Sequence, residues 1–256
     1  MPDISIRSRR LAYEARPEIY DKSALAVIFI HGSGGDREDW RGQLEGLSDQ
    51  ATVIALELPG HGASEPPGET TIPAYSHWVT NFVETLGLRK VVLVGCSLGS
   101  AITQWIALST PLWLVGIGLV GAGARLRVHP AILDGLLQDK EKALAGLADF
   151  ALSAASDKEL HEFMTAKFLN TSPELVHGDL SACNEFDVID RVGGISLPTC
   201  ILVGEDDRLT PVKYSQFLHD AIRGSRLHVI PRAGHMAMIE KPEEFNKFLG
   251  NFLAEL

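Results

Sequence analysis

The sequence predicts an α/β protein: a mostly parallel central sheet flanked by helices, with a helical insertion late in the chain. Three observations carry this. Short, continuous apolar runs recur along the 256 residues. Helix-period segments separate them, as expected for a sheet covered on both faces. One stretch, 124–192, has helical periodicity and no strand-like run, and it is too long for an ordinary loop.

The elements follow in order. Residues 3–15 alternate around Ser8-Arg9-Arg10, with Ile4 and Ile6 before and Leu11 and Tyr13 after. This pattern suggests an antiparallel hairpin at a sheet edge. Residues 24–30, ALAVIFI, form a β-branched apolar run that suits a strand buried on both faces. Segments 52–56, 91–94, 115–120, 199–203 and 227–230 repeat that signature. Helices are expected over 74–86, where Trp78, Phe82, Val83 and Leu86 have helical spacing, and over 98–108, ended by Pro111. Two more are expected at 212–222 after Pro211 and 243–253 after Pro242, since proline is well tolerated at a helix start. The insertion carries Leu133, Leu136 and Leu137, then Leu144, Leu147 and Phe150, then Phe163, Met164 and Phe168. The expected organisation is a core of 1–123 and 193–256 with a helical cap at 124–192.

Composition excludes several classes. Residues are 45% hydrophobic and 22% charged, enough apolar material for a sizeable core. The net charge is −10 and no Lys/Arg cluster is longer than Arg9-Arg10. Such a surface suits neither nucleic acid nor an anionic membrane. Cys96, Cys183 and Cys200 are odd in number and far apart, which fits neither a disulfide framework nor a zinc site. The stretch MPDISIRSRRLAYEARPEIY has no apolar signal-like core, and no apolar run reaches the ~18 residues of a membrane span. A cytoplasmic location is the expectation.

One pentapeptide suggests chemistry. Gly95-Cys96-Ser97-Leu98-Gly99 follows an expected strand and opens an expected helix. This is the G-x-S-x-G elbow in its required context. A nucleophilic serine there sits on a sharp, strained turn, so its neighbours must be small. The helix start aims N–H groups at the serine, and the N–H of Leu98 can donate to an oxyanion. The competing reading is an ordinary helix N-cap serine. A nucleophile also needs a base and an orienting acid. His235 lies just beyond one late strand, and Asp206 and Asp207 lie just beyond another. Open parallel sheets bind ligands at such strand ends. After the early strand, His31-Gly32-Ser33-Gly34-Gly35 can supply a second oxyanion donor, Ser33 or alternatively Gly34. The loop matches neither phosphate-binding glycine motif.

These pieces together resemble the α/β-hydrolase superfamily, of the type with a helical cap. The matching segments are HGSGG at 31–35, ELPGHGAS at 57–64, GCSLG at 95–99, GEDDRLTP at 204–211 and AGHMAMIEKP at 233–242. Two positions depart from the usual pattern: Glu57 stands for an aspartate and Ser100 for a glycine. The resemblance selects Asp207 over Asp206 as the acid. It implies a Ser97–His235–Asp207 triad in the Ser…Asp…His order, an oxyanion hole of the Ser33 and Leu98 N–H groups, and no metal or organic cofactor. Gly34 and Met236 are further expected substrate contacts. The implied activity is cleavage of a small to medium, largely apolar carboxylic ester through an acyl-enzyme. Carbon–carbon bond or enol-lactone hydrolysis and cofactor-free haloperoxidase or perhydrolase chemistry are alternatives on the same residues. A small-molecule receptor is an alternative of another class. Cys96 reads as packing, and His31 and His61 as holders of loop hydrogen bonds. Arg125 and Arg127 read as surface charges.

Overall fold

The protein is described here by a computed structural model covering residues 2–256. A hairpin comes first, β1 (Asp3–Ile6) and β2 (Arg9–Arg16). Its turn is Arg7-Ser8, both at positive φ, so Arg9 and Arg10 belong to the second strand rather than to the turn. The remaining strands are β3 (Leu25–Ile30), β4 (Thr52–Leu56), β5 (Lys90–Cys96), β6 (Leu114–Val120), β7 (Thr199–Gly204) and β8 (Arg226–Ile230). They form one sheet in the order β1-β2-β4-β3-β5-β6-β7-β8. The six strands from β3 onward pair in parallel, and only the hairpin edge is antiparallel.

The helices are α1 (Arg41–Leu47), α2 (Ile72–Leu86), α3 (Leu98–Ala107), α4 (Pro130–Gln138), α5 (Lys140–Ala151), α6 (Lys158–Leu169), α7 (Pro173–Glu185), α8 (Val212–Ala221), α9 (Ala237–Glu240) and α10 (Pro242–Leu253). Side chains alternate across a strand, so each apolar run feeds two cores. Ile28, Ile54, Leu93 and Ile117 pack with Tyr75, Phe82, Ile102 and Leu218 on one face. Val27, Phe29, Val53 and Val92 pack with Trp40, Leu44, Phe245 and Leu249 on the other.

α1 was not among the expected helices. Its sequence, RGQLEGL, carries two glycines, which lower helix propensity. The reason is tertiary: a Cβ on Gly42 would press on Pro242 at 2.9 Å, and one on Gly46 would run into Asn246 of α10. α4 to α7 lie between β6 and β7, and four of their residues, Leu136, Leu144, Leu147 and Val176, form a small core of their own. Among the described residues no helix is long and apolar enough to cross a membrane.

Candidate active site

β5 ends at Cys96 and α3 begins at Leu98, so Ser97 alone makes the turn. Its φ of 53° and ψ of −112° are strained for a residue with a Cβ, a cost of about 1–3 kcal/mol. Packing imposes the conformation. The Ser97 N–H donates to the Val120 carbonyl (3.0 Å), and its own carbonyl accepts from the N–H of Ser100 and Ala101. The Ser97 side chain makes no capping hydrogen bond, so the N-cap alternative is not realised. The flanking glycines are required by close approach. A Cβ on Gly95 would overlap the Gly99 carbonyl, and one on Gly99 would overlap the Ile30 carbonyl. Gly99→Ala is therefore expected to cost about 3 kcal/mol of unfolding free energy, because the obstacle is backbone and cannot repack. A denaturant titration within about 0.5 kcal/mol of wild type would refute this crowding.

His235 and Asp207 are both buried, in the loops after β8 and β7. His235 Nδ1 bonds Asp207 Oδ2 at 2.9 Å. Asp207 Oδ1 accepts the N–H groups of Leu209 (2.9 Å) and Thr210 (2.7 Å). The Thr210 hydroxyl donates to Asp207 Oδ2 at 2.7 Å and lies 3.1 Å from His235 Nδ1. Burial and the carboxylate oppose each other here. Burial disfavours the imidazolium, but the adjacent Asp207 charge outweighs it and raises the His235 pKa. Burial likewise opposes the Asp207 carboxylate, yet His235 and the Thr210 bonds hold its pKa below the usual value. Asp206 instead accepts from the Ser153 hydroxyl at 2.5 Å, and Glu205 from the Arg232 N–H. Gly121, at φ 50°, leaves room for the imidazole: a Cβ there would sit 2.7 Å from His235 Cε1.

The loop 31–36 lies beside Ser97; a Cβ on Gly32 would be 3.4 Å from Ser97 Cβ. The Gly32 carbonyl accepts from His31 Nδ1 (2.8 Å) and from the Gly35 N–H (3.1 Å). In a trans peptide the N–H points opposite the carbonyl. These bonds therefore turn the Ser33 N–H the other way, and it has no hydrogen-bond partner among the described residues. Leu98 N–H, in the first turn of α3, has no intrahelical acceptor. Gly34 differs: its N–H donates to Asp179 Oδ2 at 2.9 Å, so it is already committed. His31 takes the Leu58 N–H on Nε2, and burial with the nearby His61 lowers its pKa to about 3. It is thus a neutral ring with its proton on Nδ1.

Ser97 opens on two spaces. A recess of ≈ 60 Å³ is lined by the 32–35 loop, His235, Met236, Met164 and Phe168. A larger cavity of ≈ 620 Å³ reaches Ser97 between Leu126, Ile132, Leu147, Phe150 and Leu209. Both therefore use side chains from the inserted helices. Gly34 and Met236 both line the recess. Cys96 is buried, and burial raises its pKa well above a free thiol's. His61 bonds the Pro59 carbonyl and Asp179. Arg125 and Arg127 are half exposed and face Asp187 at 3.7 and 3.8 Å.

Sequence reasoning missed four residues. Thr210, three after Asp207, was legible as a partner for that carboxylate. Gly121, Lys167 and Asp179 had no local signal: each meets the site only through the fold.

A parallel sheet of this order, with a strained serine after β5 and a His–Asp pair after β8 and β7, defines a hydrolase architecture. The sequence profile described as the alpha/beta hydrolase fold matches residues 26–242. The chain belongs to that family. It is 26% identical over 246 residues to 3-oxoadipate enol-lactonase 1 of Acinetobacter baylyi, covering 92% of this chain and 91% of the other. A solved thermophilic esterase shares 36% identity at a TM-score of 0.88, covering 99% of this chain and 97% of that one. The chain is also 27% identical over 241 residues to the dihydrolipoyllysine-residue acetyltransferase component of the acetoin cleaving system of Cupriavidus necator. That match covers 90% of this chain but only 64% of the longer relative.

Proposed function

We propose that the protein is a serine esterase that cleaves a small to medium, largely apolar carboxylic ester. The observation that carries this is the strained Ser97, which lines one recess with His235 of the buried, hydrogen-bonded His235–Asp207 pair and also opens on the larger cavity. In this reading His235 Nε2 takes the Ser97 proton as Oγ attacks the ester carbonyl. Asp207 keeps the other imidazole proton on Nδ1 and stabilises the imidazolium. The N–H groups of Ser33 and Leu98 receive the developing oxyanion; one such donor is worth ~3 kcal/mol of barrier. His235 then protonates the leaving alcohol, and water activated by the same ring releases the acid. The inserted helices act as a cap that closes the site and sizes the substrate; ≈ 620 Å³ lies within the usual range for a small-molecule site.

The likeness to the esterase of known structure favours simple esters. The likeness to the enol-lactonase favours a second reading, in which the ester is internal to a ring. Both use the same acyl chemistry. A series of p-nitrophenyl esters of increasing acyl length tests the first reading. Turnover with a defined length optimum supports it. Turnover of lactones alone selects the second, and no hydrolysis of either moves the weight to a receptor.

The pH dependence has a fixed sign. Only neutral His235 can act as the base, and Asp207 raises its pKa above the ordinary 6.5. kcat/KM should therefore rise with pH through an inflection above 6.5. In Asp207→Asn the His235 pKa, followed by NMR titration, should fall relative to wild type, because burial is then opposed only by the Glu240 charge. A wild-type inflection at or below the ordinary value would contradict the pairing.

A further inference from the structure

We infer that Asp179 is a positioning residue for the oxyanion loop, holding the Ser33–Gly34 segment so that the Ser33 N–H faces the reacting carbonyl. The inference rests on the serine-esterase reading and adds a role for α7 beyond walling the cavity. Asp179 is fully buried, yet it comes from the inserted helices, 82 residues after Ser97 in sequence. Four donors converge on its carboxylate. Oδ2 accepts the Gly34 N–H (2.9 Å), the Ser33 hydroxyl (3.2 Å) and His61 Nε2 (2.9 Å). Oδ1 accepts the Tyr75 hydroxyl at 2.5 Å.

The other side of the loop is held from the same helices. The Thr171 hydroxyl, in the turn between α6 and α7, lies 3.4 Å from the Gly34 carbonyl. Val176 of α7 presses on Gly34, where a Cβ would stand 3.0 Å from Val176 Cγ2. Lys167 of α6 pairs with Asp36 (2.8 Å) and with Asp39. His31 sets the direction of the Gly32–Ser33 peptide from the core side. Asp179 sets the next peptide from the cap side. Neither alone fixes a glycine-rich loop, because Gly32, Gly34 and Gly35 leave the backbone free to rotate.

Charge balance permits a carboxylate so close to an oxyanion. Both nitrogens of His61 face acceptors, the Pro59 carbonyl and Asp179, an arrangement that favours the imidazolium. Burial would discharge His61, but Asp179 outweighs it and raises its pKa. A protonated His61 leaves the pair nearly neutral at a distance. A buried ion pair is weak support for stability when compared with apolar packing. Aiming the loop is the function its donors specify.

The test is Asp179→Asn, close in shape, in the full-length protein. The readouts are the phosphonylation rate of Ser97 by a fluorophosphonate, and kcat and KM for a p-nitrophenyl ester. Displacing a donor by about 1 Å is expected to slow labelling and kcat by ~10- to 100-fold. KM should change by no more than about twofold, since the loss is confined to the transition state. The pH inflection should stay at its wild-type position, because His235 and Asp207 are untouched. Labelling and kcat at wild-type rates, or a loss confined to KM, would overturn the inference. Should Asp179→Asn fail to fold, Ser33→Ala decides: it deletes one bond to Asp179 and keeps the backbone N–H. Severalfold slower labelling supports the inference, and an unchanged rate overturns it. A wild-type protein that resists the fluorophosphonate would overturn the esterase reading itself, and this inference with it.

Discussion

Replacing Ser97 by alanine is expected to lower ester turnover by about 10⁴- to 10⁶-fold, the loss seen when a nucleophile is removed from a triad. Stability should barely change. The Ser97 side chain caps nothing, and alanine has the same Cβ to fit at φ 53°. The strained turn is held by the backbone bonds of Ser97 to Val120, Ser100 and Ala101, which alanine keeps. Steady-state kinetics on the preferred p-nitrophenyl ester, with a thermal melt of the same sample, checks both parts. A variant within tenfold of wild type would remove Ser97 from the chemistry, whatever the geometry around it.

Asp207→Asn should cost about 10⁴-fold in kcat without unfolding the protein. The hydrogen bonds give the reason. Two backbone N–H groups, of Leu209 and Thr210, point at Oδ1. The asparagine oxygen must take that place, which turns its NH2 toward His235 Nδ1. Nδ1 then accepts rather than donates, the ring proton moves to Nε2, and the base can no longer receive the serine proton. Asp206→Asn is the contrast. Asp206 bonds Ser153 and not His235, so its loss should stay below about tenfold. Equal losses in the two variants would mean that either carboxylate can serve as the acid.

Much of the fold is legible in the sequence. The apolar runs at 24–30, 52–56 and 91–94 became β3, β4 and β5, because a strand buried on both faces can only be written in apolar residues. Asp207 was separated from Asp206 by resemblance alone; the fold assigns each a different partner. Three features were less accessible. The hairpin turn lies one step earlier than the alternation suggested, at Arg7-Ser8. α1 was hidden by glycines whose purpose is contact with α10. Gly34, weighed as an oxyanion donor, has its N–H bound to Asp179.

The division has a physical basis. The elbow, the strand ends carrying Asp207 and His235 and the glycine loop are local devices. Their geometry follows from residues within a few positions, so they are written as motifs. Asp179, Lys167 and Gly121 act across the fold: a carboxylate, an ammonium and a missing side chain, each ordinary where it stands in the chain. Sequence alone placed the candidate nucleophile, base and acid at strand ends. Tertiary structure alone decided what packs on them, because only packing brings a helix of the insertion onto a loop formed some 145 residues earlier.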